Sequence, residues 1–561
     1  MTKLVRIAVA LLSIAGSLVA APQKLAIADQ DAHSVVIIDA NDGKTIGTVS
    51  LGNDSPDQVL ATPDGSRIVA ISRGPGKRTW LGEFRPTAPA SASIIDAQTL
   101  KVIQRIDLGW DASDAQIASN GHTLVVLSPG VDAKGPEGHN ATLTAIDLQS
   151  GAVIGKTDFD RVAKGMLLAG DQKNAAVYFE GNRRANRPNV LRFVDIATMK
   201  PSGDDIALTG ELQNPATFPG HDFIYLAEKP KREAANVYVV SSSQRKLTGT
   251  YTLQQNPHLV AFDDATGRVF VVGQSATKGE KGQNGQLVVF RNGAPEKTVK
   301  VADTPLAVAY TADHKSAIVT GTSVTLVSLD TLEPKGQIKE GAGADEIYVS
   351  PDGRRAYFYL NVPDNSSRVT VFDLAGMTQM KSYMVGSSGM RWAKGLAAAA
   401  GTIASYSAAR SAAVAGGHST FYYTIYTPHG AKGGRGMMAV RDDSKFAYAV
   451  DPNTGYVSVI DAETGERLQG IRVSGAYELV ALKGNSILAV PGSKGVVFID
   501  TATNDKSTEA TFDGALRGLE TTPDRSRLIA LYEGKVAVFD ERGKLLGDTS
   551  VKKPSDWVFL P

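Results

Sequence analysis

The run Ser34-Val35-Val36-Ile37-Ile38-Asp39, followed by Gly43-Lys44-Thr45-Ile46, returns far along the chain as Tyr456-Val457-Ser458-Val459-Ile460-Asp461 and Gly465-Glu466-Arg467-Leu468. Each copy is a β-rich strand closed by Asp, a Gly-marked turn and a second strand, which reads as a hairpin. Further copies fall at 91–103, 142–154, 190–201, 237–247, 287–299, 324–336, 369–381, 496–507 and 536–546. A second hairpin alternates with the first. Its clearest forms are Val59-Leu60-Ala61-Thr62-Pro63-Asp64-Gly65-Ser66-Arg67-Ile68-Val69-Ala70 and the 346–359 stretch around Ser350-Pro351-Asp352-Gly353. Comparable units start near Asp114, Lys164, Asn214, Asn256, Thr304, Asp345, Arg435, Tyr477 and Arg517. A period of roughly 40 to 50 residues made only of strands and hairpins specifies an all-β fold, a β-propeller of four-stranded blades.

Spacing of the repeats predicts about twelve blades, and single rings hold about four to eight, so two rings are expected. The division is placed at residues 21–303 and 304–561. One interval, between the hairpin at Val369 and the restart near Arg435, is twice the usual length. It reads as a worn blade, with 392–407 and 419–426 as its strands, or as an Ala-rich helical insertion over 394–415. The two ends each carry half a hairpin. Residues 24–29 look like a second strand lacking its first, and 556–560 like a first strand lacking its second. Their pairing would close a ring, make one ring discontinuous in sequence, and remove exposed sheet edges.

The pattern resembles the YVTN-type repeat proteins, bacterial and archaeal β-propellers of the cell surface and periplasm. The residues that carry the resemblance are 34–72, 346–359 and 456–468, although the Tyr-Val-Thr-Asn tetrapeptide is absent. Ile68-Val69-Ala70-Ile71 and Ala447-Tyr448-Ala449-Val450 stand in its place. The resemblance implies fold and location more than activity.

Residues 1–20 have the form of a Sec-type signal peptide. Lys3 and Arg6 precede the apolar stretch 7–14, and small residues lead to a cut after Ala20. A secreted bacterial protein, periplasmic or extracellular, is expected. No later stretch offers ~20 uninterrupted apolar residues, so no transmembrane segment is expected in the mature chain. Cysteine is absent from all 561 residues, which removes disulfides, thiolate metal sites and covalent haem. A net charge of +1 gives no global field for nucleic acid.

Chemistry is sparse. The recurrent Asp residues at the end of strand c (Asp39, Asp96, Asp147, Asp195, Asp330, Asp373, Asp461, Asp500, Asp540) read as turn acceptors, not as a carboxylate array. Asp39-Ala40-Asn41-Asp42-Gly43 lacks the distal Glu and helices of a calcium loop. His122 and His314 sit in turns. His221, Asp222 and His258 are placed near the starts of inner strands, where they could serve as catalytic groups at a channel mouth. Asn214, Asn256 and Asp345 could supply oxygen ligands there. That set defines the enzyme alternative, a metal-assisted hydrolase or lactonase-like propeller. The preferred reading is a binding or scaffolding protein without a cofactor. Its contact residues are Arg78, Trp80, Arg183, Arg184, Arg187, Lys231 and Arg232, in long basic loops that share one face of the first ring. Arg73, Lys77, Arg85, Lys229, Lys278 and Lys281 add to them, opposed by Glu83, Glu228, Glu233 and Glu280. Such a face suits an anionic polysaccharide, a phospholipid headgroup or an acidic protein. Trp80, Phe84 and Trp110 place aromatic rings beside these cations.

Overall fold

In a computed structural model the chain is a β-propeller of eleven four-stranded blades, with no α-helix among the described residues and one 3-10 turn at Lys483–Asn485. The structure describes residues 24–560 apart from 79–83, 132–137, 182–187, 211, 218–219, 229–234, 254, 264–265, 276–284, 304, 306, 312, 339–343, 345, 361–366, 387–434, 486, 493, 513, 515 and 523. Calling the strands of a blade a to d from the channel outward, blades 2 to 11 span 58–107, 114–158, 165–208, 212–253, 255–301, 307–338, 346–384, 438–472, 479–511 and 516–551. Blade 1 is composite. Its strands b to d are Lys24–Asp29, Ser34–Asp39 and Thr45–Ser50, and its strand a is the C-terminal Pro554–Leu560. That strand runs antiparallel to Lys24–Asp29, with Ala26 opposite Val558 and Ile27 opposite Trp557.

Strands b and c read as nearly continuous apolar runs because every blade is covered on both faces. In Lys24–Asp29 and Ser34–Asp39, Leu25, Ile27, Val36 and Ile38 pack on Ile529, Leu531, Val536 and Val538 of blade 11. The alternate residues Ala26, Val35 and Ile37 pack on Val59, Ile68, Ala70 and Ile95 of blade 2. The same division repeats around the molecule, so the blades form one cycle of neighbours. The boundary expected at 303/304 falls between blades 6 and 7, where Phe270, Val272, Leu287 and Val289 meet Val308, Tyr310, Ala317 and Val319 in one core cluster.

The worn blade, or the helical insertion, falls within 387–434, outside the described residues. Blades 8 and 9 on either side of it pack directly, through Tyr357, Tyr359 and Val371 against Ala449, Val457 and Val459. The Asp352 backbone N–H also donates to Ser444 Oγ across them at 3.1 Å. Among the described strands there is thus no gap in the cycle for a twelfth blade. The chain returns at Arg435–Gly436, which pairs with Leu479–Ala481, the strand a of blade 10.

A second lock works between blades at their outer strands. Leu100, Met199 and Met377 hold left-handed φ values of 54°, 50° and 52° in their c–d turns, where blades 1, 3, 9 and 11 use Gly43, Gly151, Gly465 and Gly543. Such a backbone costs a non-Gly residue roughly 1 kcal/mol. Each side chain rests over a strand d glycine of the preceding blade: Gly47 under Leu100, Gly155 under Met199, Gly336 under Met377. A Cβ at Gly155 would lie 2.9 Å from Met199 Cβ, closer than carbon atoms approach. The variant Gly155→Ala is expected to lose about 1–3 kcal/mol of stability through this overlap. Adding Met199→Gly is expected to recover most of it. Thermal and urea unfolding of the two variants and the double variant measure the coupling.

Candidate functional site

Because the four strands of a blade alternate in direction, the described strand ends put the roots of the d–a and b–c connections on one face, and the basic loops begin there. In blades 2, 4, 5 and 6, strand b ends at Ser72, Phe179, Glu228 and Ser275, and strand c begins at Ser91, Asn189, Ala235 and Gly285. Arg183, Arg184, Arg187, Lys231 and Arg232 belong to these b–c loops and lie outside the described residues, as does Trp80. Arg78 is described only through its backbone. It ends a short ribbon, Gly76–Arg78 paired with Phe84–Pro86, in which Arg78 is opposite Phe84 and Lys77 opposite Arg85. Gly74 lets the chain enter this ribbon with φ of 88°, pressed against the Ala88 and Pro89 carbonyls. The blade 2 loop is therefore a β-ribbon at its root rather than an open coil.

At the foot of the ribbon lies a polar junction that the sequence did not announce. Asp57, just before strand a of blade 2, accepts the Gln30 Nε2 amide of blade 1 at 2.8 Å and the Arg73 backbone N–H at 3.0 Å. The Arg73 guanidinium turns the other way and pairs with Asp111 at 2.6 Å, in the connection to blade 3. Burial pushes the Asp57 carboxyl above the usual carboxylate range, against the lowering pull of Arg73, Gln30 and Lys553. Burial also raises Asp111, helped by the charge of Asp57 and opposed by Arg73. Next to Asp111, the Trp110 indole lies parallel to the His139 imidazole, with centroids 3.8 Å apart and planes at 6°. His139 is fixed by paired backbone bonds to Val131, 2.8 and 3.0 Å long, at the root of the blade 3 b–c loop. Trp110 was legible as an aromatic beside cations. Its partner was not, because the two are brought together only by neighbouring loops.

On the opposite face the recurrent aspartates cap their own turns. Asp96 accepts the Thr99 N–H at 2.8 Å, Asp147 that of Ser150 at 2.7 Å and Asp461 that of Thr464 at 2.7 Å. Asp39 takes the Asn41 N–H at 2.7 Å, which makes 39–43 a hairpin turn. In the a–b turn of blade 2, Thr62 Oγ1 and Ser66 hold the Asp64 carboxyl down to about 2. His314 Nδ1 meets Asp263 at 3.1 Å between the a–b turns of blades 7 and 6.

The candidate catalytic set does not assemble among the described residues. His221 and Asp222 lie in the turn between Leu212–Thr217 and Phe223–Glu228, at the far end of strand a from the loop face. The inner strand starts at Leu212, near the Asn214 start read from the sequence, so His221 lies beyond its end and not near its start. Asp222 is occupied by Ser241 Oγ at 2.5 Å and the Ser243 N–H at 2.6 Å, and His221 packs edge-on against Phe262. Asn214 lies within Leu212–Thr217, and Asn256 and His258 within Gln255–Asp263, with only their backbones described. Asp345 is outside the described residues. Inner carboxylates that are described serve as clamps between blades: Asp556 accepts Val59 N–H at 2.8 Å, Asp114 accepts Met166 N–H at 3.1 Å, and Glu346 accepts Met437 N–H at 3.3 Å. No group of three or more His, Cys, Asp or Glu among the described residues is arranged to hold a metal ion. No helix among them is long and apolar enough to cross a membrane.

The fold defines the chain as a β-propeller. No family model matches it, and no curated protein matches it. Among solved structures it is similar to dihydro-heme d1 dehydrogenase NirN in complex with DHE, at 15% identity over 64% of this chain and 73% of that one, TM-score 0.33. A structure of a eukaryotic initiation factor is similar at 12% identity over 80% and 96%, TM-score 0.41. A functionally unknown protein from Desulfotomaculum acetoxidans is similar at 12% over 57% and 96%, TM-score 0.31.

The raised carboxyl of Asp57 has a testable consequence. Because its folded pKa lies above the unfolded value, ionised Asp57 costs stability at neutral pH, and that cost fades as pH falls through the folded pKa. Asp64 works oppositely: its contribution is present above its unfolded pKa and is lost as pH falls towards about 2. Asp57→Asn can keep both contacts if the Gln30 amide turns over. It is expected to stabilise the protein at neutral pH relative to wild type, with the difference shrinking as pH falls through the raised folded pKa of Asp57, in thermal melts.

Proposed function

We propose that the protein is a secreted bacterial β-propeller of the YVTN-repeat kind, periplasmic or extracellular, that binds an anionic partner through its b–c loop face. The observation that carries this reading is the emergence of four basic loops, those of blades 2, 4, 5 and 6, on one side of one propeller. Their cations are the contact set Arg78, Arg183, Arg184, Arg187, Lys231 and Arg232, with Trp80 among them. The chain as a whole is nearly neutral at +1, so this concentration is local. Described carboxylates at the foot of these loops are already engaged. Glu180 pairs with Lys164 at 2.7 Å, and Asp160 with Arg161 at 3.3 Å. Glu228 accepts the Asn236 N–H at 3.1 Å and the Tyr238 hydroxyl at 3.3 Å. The secretory location rests on the pattern of residues 1–20.

A charge-built contact of this kind weakens as salt screens it. Binding of the mature protein to an acidic polymer is expected to fall about tenfold between low and moderate ionic strength. The combined reversal Arg183→Glu, Arg184→Glu and Arg187→Glu is expected to lower it at least as much at low salt, with an unchanged melting temperature. Titration by biolayer interferometry reads both. Binding that ignores salt, or that survives the triple reversal, contradicts the placement.

A further inference from the structure

We propose that the outer rim of blades 11, 1, 2 and 3 is a docking surface for a second copy of this chain, independently of any binding at the loop face. The residues concerned share one structural position. In the c–d hairpin of each of these blades, strand d carries a β-bulge near its start. The register steps over Ile46 in blade 1, Ile103 in blade 2, Ile154 in blade 3 and Leu546 in blade 11. With the residue before each bulge, the pairs are Thr45-Ile46, Val102-Ile103, Val153-Ile154 and Leu545-Leu546. The same bulge recurs in blades 6, 7 and 10, where the pairs are Pro295-Glu296, Pro334-Lys335 and Lys506-Ser507. The hairpin therefore does not require aliphatic side chains at this position, yet four neighbouring blades supply them. Ile46, Val102, Ile103, Val153, Ile154 and Leu545 are between 38% and 47% exposed, while Leu546 packs partly on the core. Leu247 of blade 5 and Leu468 of blade 9 are exposed too, but as single residues outside this run of blades.

The four strand d starts are tied into one surface. Thr45 Oγ1 and Thr549 Oγ1 meet at 3.0 Å between blades 1 and 11, Leu100 of blade 2 covers Gly47 of blade 1, and Lys156 Nζ of blade 3 donates to Asp107 O of blade 2 at 2.9 Å. Six aliphatic side chains so exposed present on the order of 400 Å² of apolar area, close to the apolar share of the ~800 Å² that each partner buries in a stable interface. The bulges interrupt the open sheet edge and disfavour addition of a partner's strand, so contact is made by side chains. A convex rim also offers no groove for a partner helix. The border selects no charged partner, because its ions are paired within the chain. Lys44 meets Asp42 at 2.6 Å, Arg105 meets Asp54 at 2.6 Å and also Asp107, and Lys535 meets Asp548 at 2.9 Å. A second copy brings the same neutral border and meets no like-charge barrier. The run of four blades has its midpoint between blades 1 and 2. A two-fold axis there sets blade 1 of one protomer against blade 2 of its partner, and blade 11 against blade 3. The bulges lie at the c–d turn end of strand d, so this pairing does not cover the face where the b–c loops begin.

Sedimentation velocity of the mature protein over a wide concentration range is expected to show monomer and dimer in exchange. Ile103→Lys combined with Ile154→Lys should weaken the dimer at least about tenfold, whereas Leu468→Lys should leave it unchanged. Lys335 occupies the same bulge in blade 7, so the hairpin accepts such a side chain, and the melting temperature should not move. A second readout does not depend on these variants. The chain has no cysteine, so Ile46→Cys protein mixed with Ile103→Cys protein should form a disulfide-linked dimer on mild oxidation, and Leu468→Cys protein alone should not. A protein that stays monomeric at its highest soluble concentration overturns the proposal. So does a dimer that ignores the double substitution, one that is lost equally in Leu468→Lys, or one that gives no cross-link between Ile46→Cys and Ile103→Cys copies. A monomer that floats with phosphatidylcholine vesicles, and ceases to do so on the double substitution, assigns the rim to lipid and overturns the second copy as its occupant.

Discussion

Closure of the cycle depends on the hydrogen bonding between Pro554–Leu560 and Lys24–Asp29. Without that pairing, blade 1 would present Leu25, Ala26, Ile27 and Ala28, all fully buried in the closed molecule, along an open sheet edge. The same strand does more than complete a sheet. Asp556 reaches across to the Val59 backbone N–H, and Asp29 caps the backbone N–H groups of Lys552 at 2.8 Å and Lys553 at 3.0 Å. The junction of chain ends is thus tied into blade 2, whose loop face carries the Asp57–Arg73–Asp111 cluster. Gln30, in the turn that follows Lys24–Asp29, hydrogen-bonds Asp57 directly. Closure and the shape of the candidate face are mechanically one problem.

Each blade is then held to the next by devices placed at three radii. Near the channel, strand a carboxylates take backbone N–H groups from the following blade. In the middle, branched and aromatic side chains interleave from both sheets. At the outside, turn residues such as Leu100 and Met199 cover glycines of the preceding blade, and Arg side chains cross to carbonyls: Arg355 Nε to Ala462 O at 3.1 Å, Arg441 to Thr501 O at 2.8 Å. Stability in such a repeat array is a sum of neighbour terms, so a lost contact at one interface weakens two blades and the closure that depends on all of them. With no cysteine available, these non-covalent interfaces carry the whole load.

Much of the fold was legible in the residues. Where strand c ends in Asp, that residue announces its own hairpin, because a carboxylate there satisfies the N–H groups of the turn that follows, as Asp96, Asp147 and Asp461 do. Strand a starts near Asp114, Tyr477 and Arg517 were readable from the Gly and Pro punctuation. Which blades share a core is harder to read, because packing between consecutive blades looks alike in sequence; Val301 and Val308 meet in one core cluster and carry no mark of it. His221 was misplaced although a strand start near Asn214 was readable: it follows the end of Leu212–Thr217 and falls in the a–b turn, not at the start of the strand. The Trp110–His139 stack was illegible in principle. Its members are separated by a whole hairpin and meet through loops, where hydrophobic periodicity says nothing.

The central structural claim is that eleven blades form one cycle closed by the C-terminal strand. Hydrogen–deuterium exchange of the native protein, followed at peptide resolution, tests it directly. Amides of 24–29 should exchange as slowly as those of Ser34–Asp39, because both strands are interior to the same sheet, and the amides of the edge strand 554–560 that bond to 24–29 should be protected well beyond those of the loops. Exchange of 554–560 at the rate of the loops, with 24–29 following it, would mean that the cycle is open and that this account of the fold is wrong.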